Sequence, residues 1–318
     1  MSIDAEALVD RRRLRRKLSF WRVLGLLGLI VAVVGAGLAV TNRTGVTLGQ
    51  AQIARVSVDG FIGGSDRMAE LMRRVGESPA VSGVVISINS PGGTTTGAEE
   101  LYRNIRRLSE KKPLVAFVDG TAASGGYITA LAADRIVARE TSLIGSIGVI
   151  LQYPQVSELL DKLGVKVEDI KSSPLKAEPS GVRPTSPEAR AALQTVVNDT
   201  YDWFKTLVAT RRQYGPAELG PVADGRVFSG RQALALKLVD ELGGEREAIA
   251  WLEREKGVAK DLPVRDWRPR GDRDLSLFTW AAVGADVMGF ESLGRRLREI
   301  ASATDIAKLD GLLVVWHP

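Results

Sequence analysis

The sequence predicts an α/β fold with a largely parallel sheet. Two apolar runs carry that reading, Val84-Val85-Ile86-Ser87-Ile88 and Leu114-Val115-Ala116-Phe117-Val118. Each has the length of a strand and is apolar at nearly every position, as expected of a strand covered on both faces. Each is followed by a glycine-rich turn and then by a helical pattern, and strands alternating with helices at this spacing build parallel sheets. A chain of 318 residues is also long enough to bury a substantial core.

The elements follow in order. Residues 53–58 read as a strand. Ser65 opens a helix with Met68, Leu71, Met72 and Val75 on one face, closed by Gly76. After the strand at 84–88 come Ser90-Pro91-Gly92-Gly93 and then Thr96 with Glu99 three residues on, the pattern of a capping box. Leu101, Ile105 and Leu108 form the inner face of that helix. The strand at 114–118 leads through Asp119-Gly120-Thr121-Ala122-Ala123-Ser124-Gly125-Gly126-Tyr127 into alanine-rich helix material at 128–133. Further strands are expected at 135–138, 146–151 and 165–170, with a short helix at 155–163 ended by Gly164. Residues 171–181 read as loop. Ser186-Pro187 starts a long helix, serine as cap and proline in the first turn, whose apolar face runs Ala189, Leu193, Val196, Val197, Phe204, Leu207 and Val208. Residues 225–230 are extended, and 231–242 form a helix ending at Gly243-Gly244. Residues 261–274 read as loop, 276–300 as one or two amphipathic helices, and the apolar 312–316 as an edge strand or packed tail. There is no internal repeat.

The amino terminus stands apart. Residues 1–22 carry seven Arg or Lys against three acids, whereas the remainder carries 36 basic and 35 acidic residues. The net charge of +5 therefore belongs mostly to this arm and does not describe a nucleic-acid surface on the folded part. An uncharged run of 18 apolar residues follows at 23–40, about 27 Å as a helix and close to the hydrocarbon thickness. Phe20 and Trp21 stand at its entrance as an interfacial belt. The expected organisation is a basic arm at 1–20 held in the cytoplasm, a transmembrane anchor at 21–40, a polar linker at 41–50, a main domain at 51–250, and a carboxy-terminal region at 251–318 serving assembly or the membrane face. A cleaved signal peptide is the alternative, since Gly-Ala-Gly-Leu-Ala is small enough for a peptidase.

The chain has no cysteine, and its one histidine is His317. Disulfides, thiolate chemistry and histidine-rich metal sites are excluded, and no cofactor is expected. Ser124 sits where a strand turns into a helix, beside free backbone N–H groups and two side-chain-free residues. That is a place for a nucleophile next to a developing oxyanion. A plain N-capping serine is the alternative. A serine nucleophile needs a base: His317 would have to fold back from the terminus, and a lysine can serve if burial lowers its pKa towards neutrality. Lys162, Lys166, Lys171 and Lys176 are all candidates, and the residues alone do not choose among them. Ser90-Pro91-Gly92-Gly93 follows a neighbouring strand, so its glycines and those after Ser124 would meet at one sheet edge, where sites in open α/β sheets gather.

Ser90-Pro91-Gly92-Gly93, Asp119 to Tyr127, Gly145-Ser146-Ile147-Gly148-Val149 and then Lys176 together resemble peptidase family S49, the membrane-anchored signal peptide peptidases, over roughly residues 50–250. The resemblance implies a Clp-protease/crotonase-like fold of repeated ββα units in the short form with one catalytic repeat. It implies a serine endopeptidase with a Ser-Lys dyad: Ser124 as nucleophile, Lys176 as general base, Ser146 orienting the lysine, and the amides of Gly93 and Gly125 as oxyanion hole. It further implies a ring-like homo-oligomer on the extracytoplasmic side of a bacterial inner membrane, degrading cleaved signal peptides and other hydrophobic segments, with no nucleic acid among its partners. Three other readings are a catalytically inactive membrane scaffold that binds peptides, a crotonase-type acyl-transfer enzyme, and a penicillin-binding protein with Ser173-x-x-Lys176. The last lacks the Lys-Thr-Gly and Ser-Asp-Asn triplets.

Overall fold

The structure is a computed structural model that describes residues 50–269 and the strand Leu312–Val315, together with Trp21 and Gly25. The chain divides after Gln50, and the account below concerns the part that follows. The anchor expected at 21–40 lies outside the described residues apart from Trp21 and Gly25, as do the helices expected at 276–300. Among the described residues no helix is long and apolar enough to cross a membrane.

Strands and helices alternate from the start: β1 (Gln52–Ile62), α1 (Asp66–Glu77), β2 (Val81–Thr94), α2 (Thr95–Ser109), β3 (Leu114–Ala123), α3 (Gly125–Leu131), β4 (Ile136–Ala138). The short strands β5 (Leu143–Gly145) and β6 (Ile150–Leu151) come next, then α4 (Ser157–Lys162), the long α5 (Pro187–Arg212) and α6 (Pro216–Leu219). The chain continues through β7 (Val227–Ser229), α7 (Gly230–Ala235), β8 (Glu241–Leu242), α8 (Glu245–Glu255), β9 (Val264–Asp266) and β10 (Leu312–Val315). One mixed sheet contains all ten strands, its central path running β6-β10-β2-β3-β4-β8. β1, β2, β3 and β4 pair in parallel, as do β4 with β8 and β9 with β1, whereas β10 and β7 run antiparallel to their neighbours.

Period-two alternation explains why the central strands read as unbroken apolar runs. Val84, Ile86, Ile88, Ala116 and Val118 point into one core with Leu71, Val75, Ile105 and Ile128 from α1, α2 and α3. Val85, Val115, Phe117 and Val137 point to the other face, where Ala248, Trp251 and Leu252 of α8 cover them with Ile53 and Val258. Ser65 sits at the N-cap position of α1, and Leu71, Met72 and Val75 are buried along it as the spacing requires. Ser186 caps α5, its hydroxyl accepting from the Ala189 amide at 3.1 Å, with Pro187 in the first turn.

Several expectations are corrected. α2 is capped by Thr94, which accepts from the Gly97 amide at 3.0 Å, rather than by Thr96, because the preceding strand runs on to Thr94. Residues 165–170 are not a strand. They are exposed and without regular structure, and among the described residues no strand pairs with them, which alternating valines need in order to form a strand. Residues 146–151 are not one strand either: Gly145 at φ +106 and Ser146 at φ +50 turn the chain, and pairing resumes only at β6. The helix expected at 231–242 stops at Ala235, because Lys237 is left-handed and Glu241–Leu242 pair with β4. In α5, Phe204 and Val208 are buried, while Val196 of the expected face is exposed.

Candidate active site

The site is built at the C-terminal ends of β2 and β3. β3 ends at Ala123, and Ser124 turns the chain into α3 with φ +52 and ψ −116. A left-handed conformation on a non-glycine residue stores about 1–3 kcal/mol and persists only where neighbours enforce it. Here they do. The Ser124 amide donates to the Gly145 carbonyl at 2.7 Å, and the Ser124 carbonyl accepts from the amides of Tyr127 and Ile128 at 2.9 and 3.0 Å. Tyr127, fully buried below, anchors α3 by donating its phenol to the Leu238 carbonyl at 2.8 Å, and burial pushes that phenol's pKa well up. The Ser124 side chain is left without a partner: its Oγ is buried and makes no hydrogen bond. An unpaired buried hydroxyl costs about 1–3 kcal/mol. Strain and an orphaned hydroxyl at one residue are the marks of a site kept for function.

The second glycine turn lies alongside. Ser90 is opposite Ala122 in the β2–β3 ladder, so the two turns emerge together. Ser90 donates its hydroxyl to the Gly60 carbonyl at 2.6 Å and accepts from the Gly92 amide at 3.1 Å, which fixes the bend. Gly93 has no alternative: a Cβ there would lie 1.9 Å from the Ile62 carbonyl oxygen. Gly125 opens α3, so its N–H has no acceptor within the helix. Asn89 then ties the two turns together, its Oδ1 accepting from the Thr121 amide at 3.2 Å. Asp119 is held from the other side by Arg139, at 2.8 and 2.7 Å from its Nε and Nη2, with the guanidinium stacked over Phe117. Neither Asn89 nor Arg139 is a candidate in the sequence. A lone asparagine at a strand end carries no motif, and Arg139 meets Asp119 only through the β3–β4 register.

Ser146 is mostly buried and left-handed, at φ +50, and donates its amide to the Arg226 carbonyl at 2.8 Å. The carbonyl of the preceding residue, Gly145, is the one that accepts from the Ser124 amide. Lys176 is placed differently. It ends a turn, its amide donating to the Ser173 carbonyl at 3.1 Å, and its side chain is exposed in an open cleft lined by Asp169, Lys171, Ser172, Ala177 and Ser180. No hydrogen bond joins Lys176 to Ser124 within the described residues. The four lysine candidates do separate chemically. Lys171 is bound by two carboxylates, Glu178 at 2.5 Å and Asp169 at 3.3 Å, and holds Glu178 below the usual carboxylate range. Its Nζ is thereby engaged by both acids. Lys162 and Lys166 lie on the exposed segment leading to it. His317 lies outside the described residues. Among the described residues no cluster of three or more His, Cys, Asp or Glu side chains could hold a metal.

The family model described as "Peptidase family S49" matches residues 106–259, which include Ser124, Ser146 and Lys176 but not Gly93. A Synechocystis protein named as a protease is 38% identical over 211 residues, covering 66% of this chain and 76% of that protein. The chain belongs to peptidase family S49. An Enterococcus faecium relative named as signal peptide peptidase SppA is 36% identical over 223 residues, covering 70% of this chain and 63% of that protein. The chloroplastic serine protease SPPA of Arabidopsis thaliana is 31% identical over 289 residues, 85% of this chain but 42% of that protein. The chain thus spans about three fifths or less of these last two. The mixed α/β sheet is consistent with an S49 peptidase.

Proposed function

We propose that this S49 protein is a membrane-anchored serine endopeptidase in which Ser124 attacks the peptide and Lys176 is the general base. The observation that carries the reading is Ser124 itself, left-handed, buried and with an unpartnered Oγ at the strand-to-helix turn. Neutral Lys176 takes the Ser124 proton as Oγ attacks the scissile carbonyl, with Ser146 orienting the lysine. The oxyanion rests on the amides of Gly93 and Gly125. The lysine then passes the proton to the leaving amine, and a water, deprotonated by the same lysine, hydrolyses the acyl-enzyme. Substrates are extended apolar peptides, including cleaved signal peptides, reached on the extracytoplasmic side of a bacterial inner membrane by a domain tethered through residues 21–40.

Assembly belongs to the same reading. Lys176 is exposed beside the exposed Ile170 and Leu175, and Leu159, Leu163, Val165 and Val167 upstream are exposed as well. A homo-oligomer would cover this apolar segment and bring a Lys176 turn, from the same or a neighbouring chain, against Ser124.

The test is hydrolysis of a fluorogenic apolar peptide by the detergent-solubilised full chain between about pH 6 and about pH 10. The expected result is activity in the wild type and loss in both Ser124→Ala and Lys176→Ala. Full activity in Lys176→Ala would require another base. A folded, assembled wild type that cleaves nothing would favour the inactive peptide-binding scaffold.

A further inference from the structure

The helix that begins after Ser124 has a second end. α3 is seven residues long, about 10 Å, and every one of them is buried. The carbonyls of Leu131, Ala132 and Ala133 lie at its carboxy end, where a helix has no amides left to offer. All three residues are buried, so the protein must supply the donors. Arginines from two other helices do so. Arg211, in the last turn of α5, donates Nε to the Leu131 carbonyl and Nη2 to the Ala133 carbonyl, each at 2.7 Å. Arg106 of α2 donates Nη1 to the Ala132 carbonyl between them at 3.0 Å. A basic residue in the last turn of a helix ordinarily serves that helix's own carbonyls. Arg211 serves another helix instead, although burial and the neighbouring Arg106 cation both pull its pKa below the usual guanidinium value.

α3 is thus fastened at three points. Near its start Gly126 is pressed against β2, where a Cβ would lie 2.5 Å from the Ser90 carbonyl oxygen. In the middle Tyr127 holds the Leu238 carbonyl through its phenol. At the far end stand Arg211 and Arg106. The Thr129 hydroxyl, donating to the Gly125 carbonyl at 3.0 Å, stiffens the turn between them. A rod this short moves as one body. With its far end freed it pivots about Tyr127, and the Ser124 turn and the Gly125 amide swing at the near end. A displacement of about 1 Å at a reacting group costs about a hundredfold in rate. We propose that Arg211 is a positioning residue: its two bonds to the carboxy end of α3 fix where Ser124 and the Gly125 amide stand. The inference rests on the reading of Ser124 as nucleophile and goes beyond it, since Arg211 binds the opposite end of the helix from the chemistry.

The test reads kcat per folded molecule on the detergent-solubilised full chain with the fluorogenic apolar peptide. Beside it runs hydrogen exchange at the Tyr127 and Ile128 amides, which donate to the Ser124 carbonyl. Arg211→Ala is expected to lose about thirtyfold in kcat with KM held within about twofold, and to exchange both amides faster. Methylguanidinium, small enough for the space left and able to donate to the same carbonyls, is expected to restore part of both. Val75→Ala is the control for lost stability. It hollows the core under α1 and leaves the α3 carbonyls paired, so kcat per folded molecule should hold and methylguanidinium should change nothing. If Arg211→Ala does not fold, Arg211→Lys carries the test. An ammonium lacks the planar fork that spans two carbonyls, and a fall of about tenfold in kcat at the same KM is expected. An unchanged kcat in the variant that folds, or an equal fall in Val75→Ala, would overturn the proposal. A folded wild type that cleaves nothing would sink the peptidase reading and leave this one to amide exchange. There, unchanged protection at Tyr127 and Ile128 overturns it and faster exchange upholds it.

Discussion

The Ser124 amide donates to the Gly145 carbonyl across 2.7 Å, and that bond couples the strained turn after β3 to the Gly145-Ser146 turn after β5. Both turns are left-handed, and each constrains the other: Ser124 at φ +52 is fixed by a carbonyl whose own residue stands at φ +106. The Ser124 turn is therefore set by the β3–β5 pairing, not by local sequence alone.

Gly145→Ala should expose that coupling. A Cβ at Gly145 would lie 3.1 Å from Phe228 Cδ2 and 3.2 Å from the Arg226 carbonyl oxygen, on a backbone that L-residues rarely adopt. The expected loss is about 1–3 kcal/mol of stability. Because the Gly145 carbonyl positions Ser124, kcat should fall further than the folded fraction does. Denaturant titration beside kcat on the same preparation checks this. A kcat unchanged after correction for folded protein would mean that the Ser124 turn holds itself.

Gly93→Ala should be worse for stability and more local in cause. Its Cβ would fall 1.9 Å from the Ile62 carbonyl oxygen, so β1 and β2 would have to part at their C-terminal ends. A lowered melting temperature together with lost peptide hydrolysis is expected. If Gly93 acts only as a spacer and not through its amide, destabilised but active protein would be recovered at low temperature.

These sites show what the sequence could and could not reveal. β2, β3, the Ser65 helix and the Ser186-Pro187 helix start were legible because their signals are local: apolar runs, caps and a proline in the first turn. The strand-to-helix turn at Ser124 was legible for the same reason. Residues 165–170 misled because alternation states a preference for pairing but not whether an edge is free. Of the tail at 312–316, read as an edge strand or packed tail, Leu312–Val315 lies between β6 and β2. That placement depends on a pairing more than 200 residues apart in sequence, which no window reports. Asn89 and Arg139 were silent for a similar reason, since each gains its role only when β2, β3 and β4 are set side by side.

Lys171 and Lys176 should respond differently to substitution. Lys171 bridges Asp169 and Glu178, one on each side of the Lys176 turn, and Arg183 pairs with Asp169 as well. Lys171→Met should loosen the turn, raise KM or lower kcat about tenfold or less, and leave the pH midpoint of activity in place. Lys171→Arg should restore most of the loss, because a guanidinium can hold the same carboxylates. Lys176→Arg should restore nothing, since arginine stays protonated and cannot act as a base. An equal rescue at both positions would argue that Lys176 serves only as a charge.

The pH profile of stability limits how the activity profile can be read. Tyr214 donates its phenol to the Leu236 carbonyl, and burial raises its pKa to about 12; Tyr127 is also raised, by burial. A raised folded pKa means that the unfolded state ionises first as pH rises. The stabilising contribution is thus complete below about pH 10, where free tyrosine titrates, and is lost as pH climbs towards the folded value. Urea midpoints measured at about pH 9 and about pH 11 should fall, and Tyr214→Phe should shrink the fall without removing the part due to Tyr127. If the midpoint holds steady through that window, neither phenol is coupled to folding, and a decline of peptide hydrolysis above pH 10 would have to come from the site itself.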